Sequence, residues 1–392
     1  MKKQYSILVM VILVTTGCSQ KGSKAEIRYE NGVKIVSNPI LSKTQLSKVP
    51  WLRYEREFSI DSENPELDKI GLTDIIRFGV EGDGTIVVLT ARGLDEFVHI
   101  FNANGNYRAS FGRRGQGPGE LQDPKYIEVG QSTISVLDFG RKKLVNYSGD
   151  GSFSNESPIP PNIRRATVLS NRNVIVLRGQ PDPNNGEIDF PIALCDERYQ
   201  TLKVLNEGRS MPIFAQSASI NGLNLRIDYE AWQVFGNMVY VGNPFAGYDL
   251  FAYDQRGVLT LKIHKEIRPV PISGEYRNGI TDWMKKNASE FASKLSFPDS
   301  FPAFQYFFID DQGRIFVMTY EEAEEPGSFL YDVYDTGGLF IARTKFDNIG
   351  ILPSSPLKVQ VPLQVVVKRE RIFYLHEKEN GFKELVVCHW IH

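Results

Sequence analysis

Few residues in this chain are of types that do chemistry, and they are scattered. The five histidines are His99, His264, His376, His389 and His392. An imidazole metal site needs its ligands gathered, and these fall in different stretches of the chain. His389 and His392 are closest, but in a strand that spacing puts them on opposite faces. Asp83, Asp138 and Asp310 are the acidic candidates for a hard cation such as Ca²⁺, which takes about six to eight oxygen ligands. All three sit where turns and strand ends ordinarily use Asp. No His-Glu-x-x-His, Cys-x-x-Cys, Gly-x-Ser-x-Gly or phosphate-cradling loop occurs. These patterns assign no catalytic residue and no metal ligand, and no cofactor is predicted.

The third chemical type is cysteine, at Cys18, Cys195 and Cys388. Cys18 closes a leader: Met1-Lys2-Lys3, the apolar run Tyr5 to Val14, then Thr15-Thr16-Gly17-Cys18. The run is too short for a spanning helix, which needs about 20 apolar residues, and has the length of a signal-peptide core. Small residues before Cys resemble the lipobox of bacterial lipoproteins, with Thr15 where Leu is usual. That resemblance implies cleavage after residue 17, acylation of Cys18 and attachment to a membrane, with Ser19 to Lys24 as a flexible tether. Ser rather than Asp at position 19 is similar to the outer-membrane sorting signal of enteric bacteria. The expected location is therefore the cell envelope, at the outer membrane.

Removing the leader leaves about 375 of 392 residues, and the full chain holds 45 Lys+Arg against 47 Asp+Glu. The balance argues against a nucleic-acid surface, which needs a basic excess. No second long apolar run follows.

The elements that must position any site are short strands. Ile86–Leu89, Phe97–Phe101 and Tyr107–Phe111 are separated by Gly82-Asp83-Gly84 and Asn104-Gly105, pairs that supply the positive φ of tight turns. Comparable first turns recur near Gly130, Asn171-Arg172-Asn173, Gly236-Asn237, Asp311-Gln312-Gly313 and Arg369-Glu370. Second turns recur at Asp150-Gly151, Asp196–Tyr199, Asp254–Gly257 and Asp335–Gly338. The spacing is about 58 residues, longer than the roughly 40–45 of a WD40 blade. Six units of four strands predict an all-β, six-bladed β-propeller over residues 46–392, preceded by an N-terminal extension from residue 18 to 45. The sixth unit has only three strands, so Trp51–Ile60 is expected to close it. That ring sets Cys195 and Cys388 on opposite sides, too far apart for a disulfide.

Ser110-Phe-Gly-Arg-Arg-Gly-Gln-Gly-Pro-Gly-Glu-Leu-Gln-Asp-Pro124 resembles the connection between blades in NHL-repeat propellers, with Leu121 in place of Phe. With the leader, the chain resembles the six-bladed propeller lipoproteins of Bacteroidota. Arg113 and Arg114 in this stretch are candidates to meet an anionic ligand at the channel mouth.

Between the fourth and fifth units, residues 273–296 read as a helix with Tyr276, Ile280, Trp283, Met284, Phe291 and Leu295 on one stripe. An aromatic run from Phe297 to Phe308 follows. Trp283, Phe304 and Tyr306 are therefore candidates for a ligand or partner surface under a lid. Two functions fit: a non-enzymatic binding or scaffold module for a protein, peptide or glycan, or a hydrolase or lyase with Ca²⁺ or Zn²⁺ in the channel. The second is what resemblance to lactonase-type six-bladed propellers implies.

Overall fold

The computed structural model describes residues 24–90, 95–130, 132–208, 210–225, 232–323, 329–345, 364–378 and 380–391. The leader, Cys18 and His392 lie outside them. The chain forms six antiparallel four-stranded blades. Blade 1 begins with Ile75–Val80 and ends with Tyr107–Arg113, and blade 2 runs from Pro124–Val129 to Phe153–Pro158. Blade 3 runs from Ile163–Val168 to Thr201–Asn206, blade 4 from Trp232–Phe235 to Leu259–Lys265, and blade 5 from Tyr306–Ile309 to Phe340–Lys345.

Blade 6 takes Val365–Lys368, Arg371–Glu377 and Lys383–Ile391 from the C-terminus and Trp51–Asp61 from the N-terminus. The borrowed strand pairs antiparallel along its length, from Arg53 opposite Ile391 to Asp61 opposite Glu384. It closes the ring as expected.

The cores lie between blades rather than within one centre. Ile60, Phe373, Leu375 and Leu385 of blade 6 pack on Ile75, Phe78 and Val88 of blade 1. Val87, Val98 and Phe111 meet Ile127, Val136 and Tyr147 of blade 2. Because each blade is covered on both faces, its inner strands cannot alternate apolar and polar residues. Ile86–Thr90 is buried throughout, which explains the continuous apolar runs.

Residues of the N-terminal extension add more. Glu26–Glu30 and Val33–Asn38 form a hairpin, and its second strand pairs parallel with Leu259–Lys265, widening blade 4 to six strands. Asn38 then links two blades. Its amide donates to the carbonyls of His264 (3.3 Å) and Gly338 (3.0 Å), and its oxygen accepts from Phe340 N (3.0 Å).

The helix between blades 4 and 5 spans Gly274–Asn287 and is capped by Ser273 Oγ, which accepts from Tyr276 N (3.1 Å). It is shorter than the stripe suggests. At Ala288 the backbone leaves the helical region and Ser289–Lys294 continues as a 3₁₀ turn, so Phe291 lies in that turn and Leu295 in the short strand Leu295–Ser296.

Candidate functional site

In up-and-down blades, connections from first to second and from third to fourth strands lie on one face of the ring. Those from second to third, and from blade to blade, lie on the other. The first face carries tight turns. Among the described residues the second carries the long connections, including the hairpin Gln180–Asp182 with Glu187–Asp189 and the helix Gly274–Asn287.

These long connections are tied together. Phe214 stacks on Phe291 at 5.6 Å, and Lys294 Nζ donates to the carbonyls of Phe214 (3.2 Å) and Ser217 (2.8 Å). Ile220–Asn221 pairs parallel with Leu295–Ser296. Ile280 and Met284 anchor the helix and are wholly buried. The result is a cap built from the connections of blades 3 and 4.

The sequence-derived candidates do not converge. Arg113 and Arg114 are exposed, but they leave the outermost strand of blade 1 and stand at the rim, not at the channel mouth. The connection must travel inward from there, so only its far end approaches the axis. The Arg114 guanidinium lies over the Phe97 ring at 5.0 Å. The glycine-rich stretch folds on itself: Gly117 N donates to Glu120 (2.8 Å), Tyr147 OH to Gly119 O (2.7 Å), and Leu121 is fully buried.

Phe304 and Tyr306 are also corrected. They are 2% and 5% exposed and belong to the cores between blades 4 and 5 and between blades 5 and 6. Phe304 packs on Tyr248 at 5.4 Å, where apolar area is worth most when dry. Trp283 is half-buried on the helix.

The acidic candidates are spent on the backbone. Asp138, fully buried, accepts from Gln122 N (2.9 Å), Asp123 N (2.8 Å) and Gly140 N (3.1 Å). Asp310 accepts from Gln312 N (3.0 Å), Arg314 N (2.7 Å) and Arg314 Nε (2.6 Å). Asp83 caps Thr85 N at 2.8 Å. Among the described residues, no three His, Cys, Asp or Glu side chains gather as metal ligands. Cys195 and Cys388 are free and buried. Burial pushes the Cys388 thiol up to about 11, which leaves it protonated and unreactive at neutral pH.

A different group of residues does come together, between blades 4 and 5. Asp332, with no exposed surface, faces Arg343 across the sheet in register. Its carboxylate accepts from Arg343 Nε (2.9 Å), from Tyr248 OH (3.1 Å) and from Lys265 Nζ. The outer nitrogens of Arg343 fork onto Glu321 at 2.9 and 3.2 Å.

Burial alone would lower the Arg343 pKa. Hydrogen bonds to Glu321 and the charges of Asp332 and Glu321 outweigh it and raise the value. Burial, with the Asp332 charge, raises the Tyr248 phenol well above its usual range, so Tyr248 remains a donor.

Above this cluster a cavity of ≈ 490 Å³ opens between Pro39–Leu41 of the N-terminal extension and Ile267–Pro271 of the connection. Lys265, Glu321 and Arg343 line its floor. The signal in the sequence was a charge set inside an aromatic strand, Leu330-Tyr-Asp-Val-Tyr334, with a second inside Phe340-Ile-Ala-Arg-Thr344.

A family model, DUF5128, described as a 6-bladed beta-propeller, matches residues 72–174. The blade count agrees with the ring seen here. No curated protein matches the chain. Among solved structures, the chain is similar to a Bacteroides fragilis protein described as exported. The TM-score there is 0.49 and the identity 12%, with 91% of this chain and 100% of the other covered. It is also similar to a member of the duf4221 family from Bacteroides vulgatus, with TM-score 0.42, 13% identity, and coverage of 88% and 99%. A virginiamycin B lyase from Staphylococcus aureus gives TM-score 0.41 and 8% identity, covering 85% and 99%. Likenesses this distant leave the function to be read from this chain's own residues.

Proposed function

We propose that this chain is an exported, lipid-anchored propeller that acts as a binding module of the cell envelope, not as a catalyst. The observation that carries the reading is the asymmetry of the ring. One face carries tight turns, while on the other the long connections of blades 3 and 4 brace each other into a cap with a cavity beside it. A scaffold needs only the ring; a braced cap adds a shaped surface of the kind binding loops form on rigid frames. Export and anchoring rest on the leader that ends at Cys18. Acylation of Cys18 is what holds the propeller at a membrane surface in this reading.

Two measurements test this. Metabolic labelling with a fatty acid should mark the wild-type protein and not Cys18→Ser, which should leave the membrane fraction. An equally membrane-bound C18S protein would remove the anchoring part. Thermal melts of the chelator-treated domain, with and without Ca²⁺ or Zn²⁺, address catalysis. A metal bound only to the native state raises the melting temperature with concentration. No rise is expected, and a clear one at low metal would restore the hydrolase or lyase reading.

A further inference from the structure

The floor of the cavity between blades 4 and 5 is already built to hold a carboxylate. Arg343 is buried, its side chain 7% exposed, and its inner nitrogen is fixed by Asp332. That leaves its outer fork pointing at the cavity, in the planar arrangement that matches a carboxylate with two parallel hydrogen bonds. The occupant of the fork is Glu321, whose own side chain is 49% exposed.

The two partners differ in how firmly they are held. Arg343 is locked by a sheet register and a buried ion pair. Glu321 sits at the end of strand Ile315–Glu322, next to solvent. A small void of ≈ 20 Å³, lined by Tyr320 and Thr319, lies beside it and shares Lys265 and Glu321 with the larger cavity. The walls of the larger cavity carry apolar side chains, together with Glu266 and Arg268. Ile40 and Leu46 come from one side and Ile267, Pro269 and Val270 from the other, with Phe340 between.

We infer that this cleft binds a monocarboxylate with an apolar body, and that Glu321 holds the place of the ligand's carboxylate in the empty protein. On binding, the Glu321 side chain swings to water and the ligand's carboxylate takes its two hydrogen bonds from Arg343. One carboxylate replaces another, so the buried charge does not change and no desolvated guanidinium is left unpaired. The apolar body then covers the proline-rich walls. The ligand chemistry has two sources, a free medium-chain acid or the C-terminus of a peptide ending in an apolar residue. The inference deepens the binding-module reading by naming a ligand class for one site beside the cap.

The test is calorimetric titration of the purified domain, lacking the lipid anchor, with octanoate and with an acetylated Ala-Leu dipeptide bearing a free carboxylate. Octanol and the dipeptide carboxamide are the matched controls. At least one acid should bind about tenfold or more tighter than its neutral control. Which acid does so tells a free acid from a chain terminus.

Glu321→Gln removes the competing carboxylate at a half-exposed site and should tighten the acid about tenfold while leaving the neutral control unchanged. Arg343→Lys, which keeps the charge but not the fork, should weaken it by a similar factor. If the lysine variant fails to fold, E321Q still decides the matter. Acid and neutral forms that bind alike, neither acid binding at all, or E321Q that does not tighten, would each overturn the assignment. Such a result leaves the anchoring and metal experiments untouched, so it can be told from failure of the wider reading.

Discussion

The two faces of the ring solve the same problem by opposite means. On the tight-turn face, each connection satisfies itself. Asn102, Asp196, Asp254 and Asp335 occupy equivalent places, and each accepts backbone N–H groups two and four residues on. Neighbouring turns add small links, such as Asn171 Nδ2 to Gln255 O at 2.9 Å. On the long-connection face, stability comes from contacts distant in sequence: Asn38 to His264, Lys265 to Asp332, and Lys294 to Ser217. The lesson is that local turn chemistry suffices to close a blade, whereas a surface that can be shaped for a ligand needs residues from several blades and the N-terminus.

The largest expected effect lies on the long-connection face. Asp332→Ala strands Lys265 and Arg343 in a buried site. It should lower the unfolding free energy in urea by about 3–5 kcal/mol, the usual result of breaking a buried pair from one side. A loss below about 1 kcal/mol would mean that the cluster is solvated and that the contrast between faces is overdrawn.

Next comes a limit shared by both faces. His99, in the strand Glu96–Phe101, is fully buried, and among the described residues neither ring nitrogen has a hydrogen-bond partner. Burial pushes its pKa from 6.5 down to about 4. The unfolded chain therefore takes up a proton that the folded one refuses. The contribution is intact above pH 6.5 and is lost as pH falls toward 4, by about 3 kcal/mol in all. Denaturant titrations at several pH values should show this slope in the wild type and a shallower one in His99→Phe.

Smaller effects belong to the tight-turn face. Gly105, at φ +80°, closes the second turn of blade 1 against Phe58 of the borrowed strand, and an added Cβ would lie 2.5 Å from that ring. Gly105→Ala should cost about 1–3 kcal/mol through overpacking and positive φ together. It should also loosen the seam between blades 6 and 1, seen as faster amide exchange in Trp51–Asp61. The smallest change is Asp254→Ala, at an exposed turn, expected at about 1 kcal/mol. If Asp254→Ala cost more than Asp332→Ala, the comparison would be reversed.

The same contrast explains what could be read without coordinates. Turn residues act on their immediate neighbours, so Asn104-Gly105, Asp254–Gly257 and Asp335–Gly338 were legible, and with them the blade count. Even Tyr199, which takes φ +62° where other blades use Gly, was placed by the Asp196 that opens its turn. The missing strand of blade 6 was legible because a ring cannot leave one blade short. Candidates picked for their residue type fared differently. Phe304 and Tyr306 look alike in sequence whether they line a groove or fill a core, and here the packing of blades 4, 5 and 6 buried them. Arg113 and Arg114 sit in a recognisable stretch, but their distance from the axis follows from how a connection crosses a blade.

The sequence by itself determined the strand-and-turn period, the closure of blade 6 by a strand over Trp51–Ile60 and the presence of a helix after blade 4. These depend on local propensities, periodicity and a count, all written along the chain. Only the tertiary structure decided that Val33–Asn38 would extend blade 4 and that Glu321 would occupy the fork of Arg343. It also decided that Lys265, Asp332 and Tyr248 would meet beneath a cavity. Tyr248 and Asp332, hydrogen-bonded in that cluster, are 84 positions apart. Their encounter depends on strand register and on which faces two blades turn toward each other, neither of which is carried by any one segment alone.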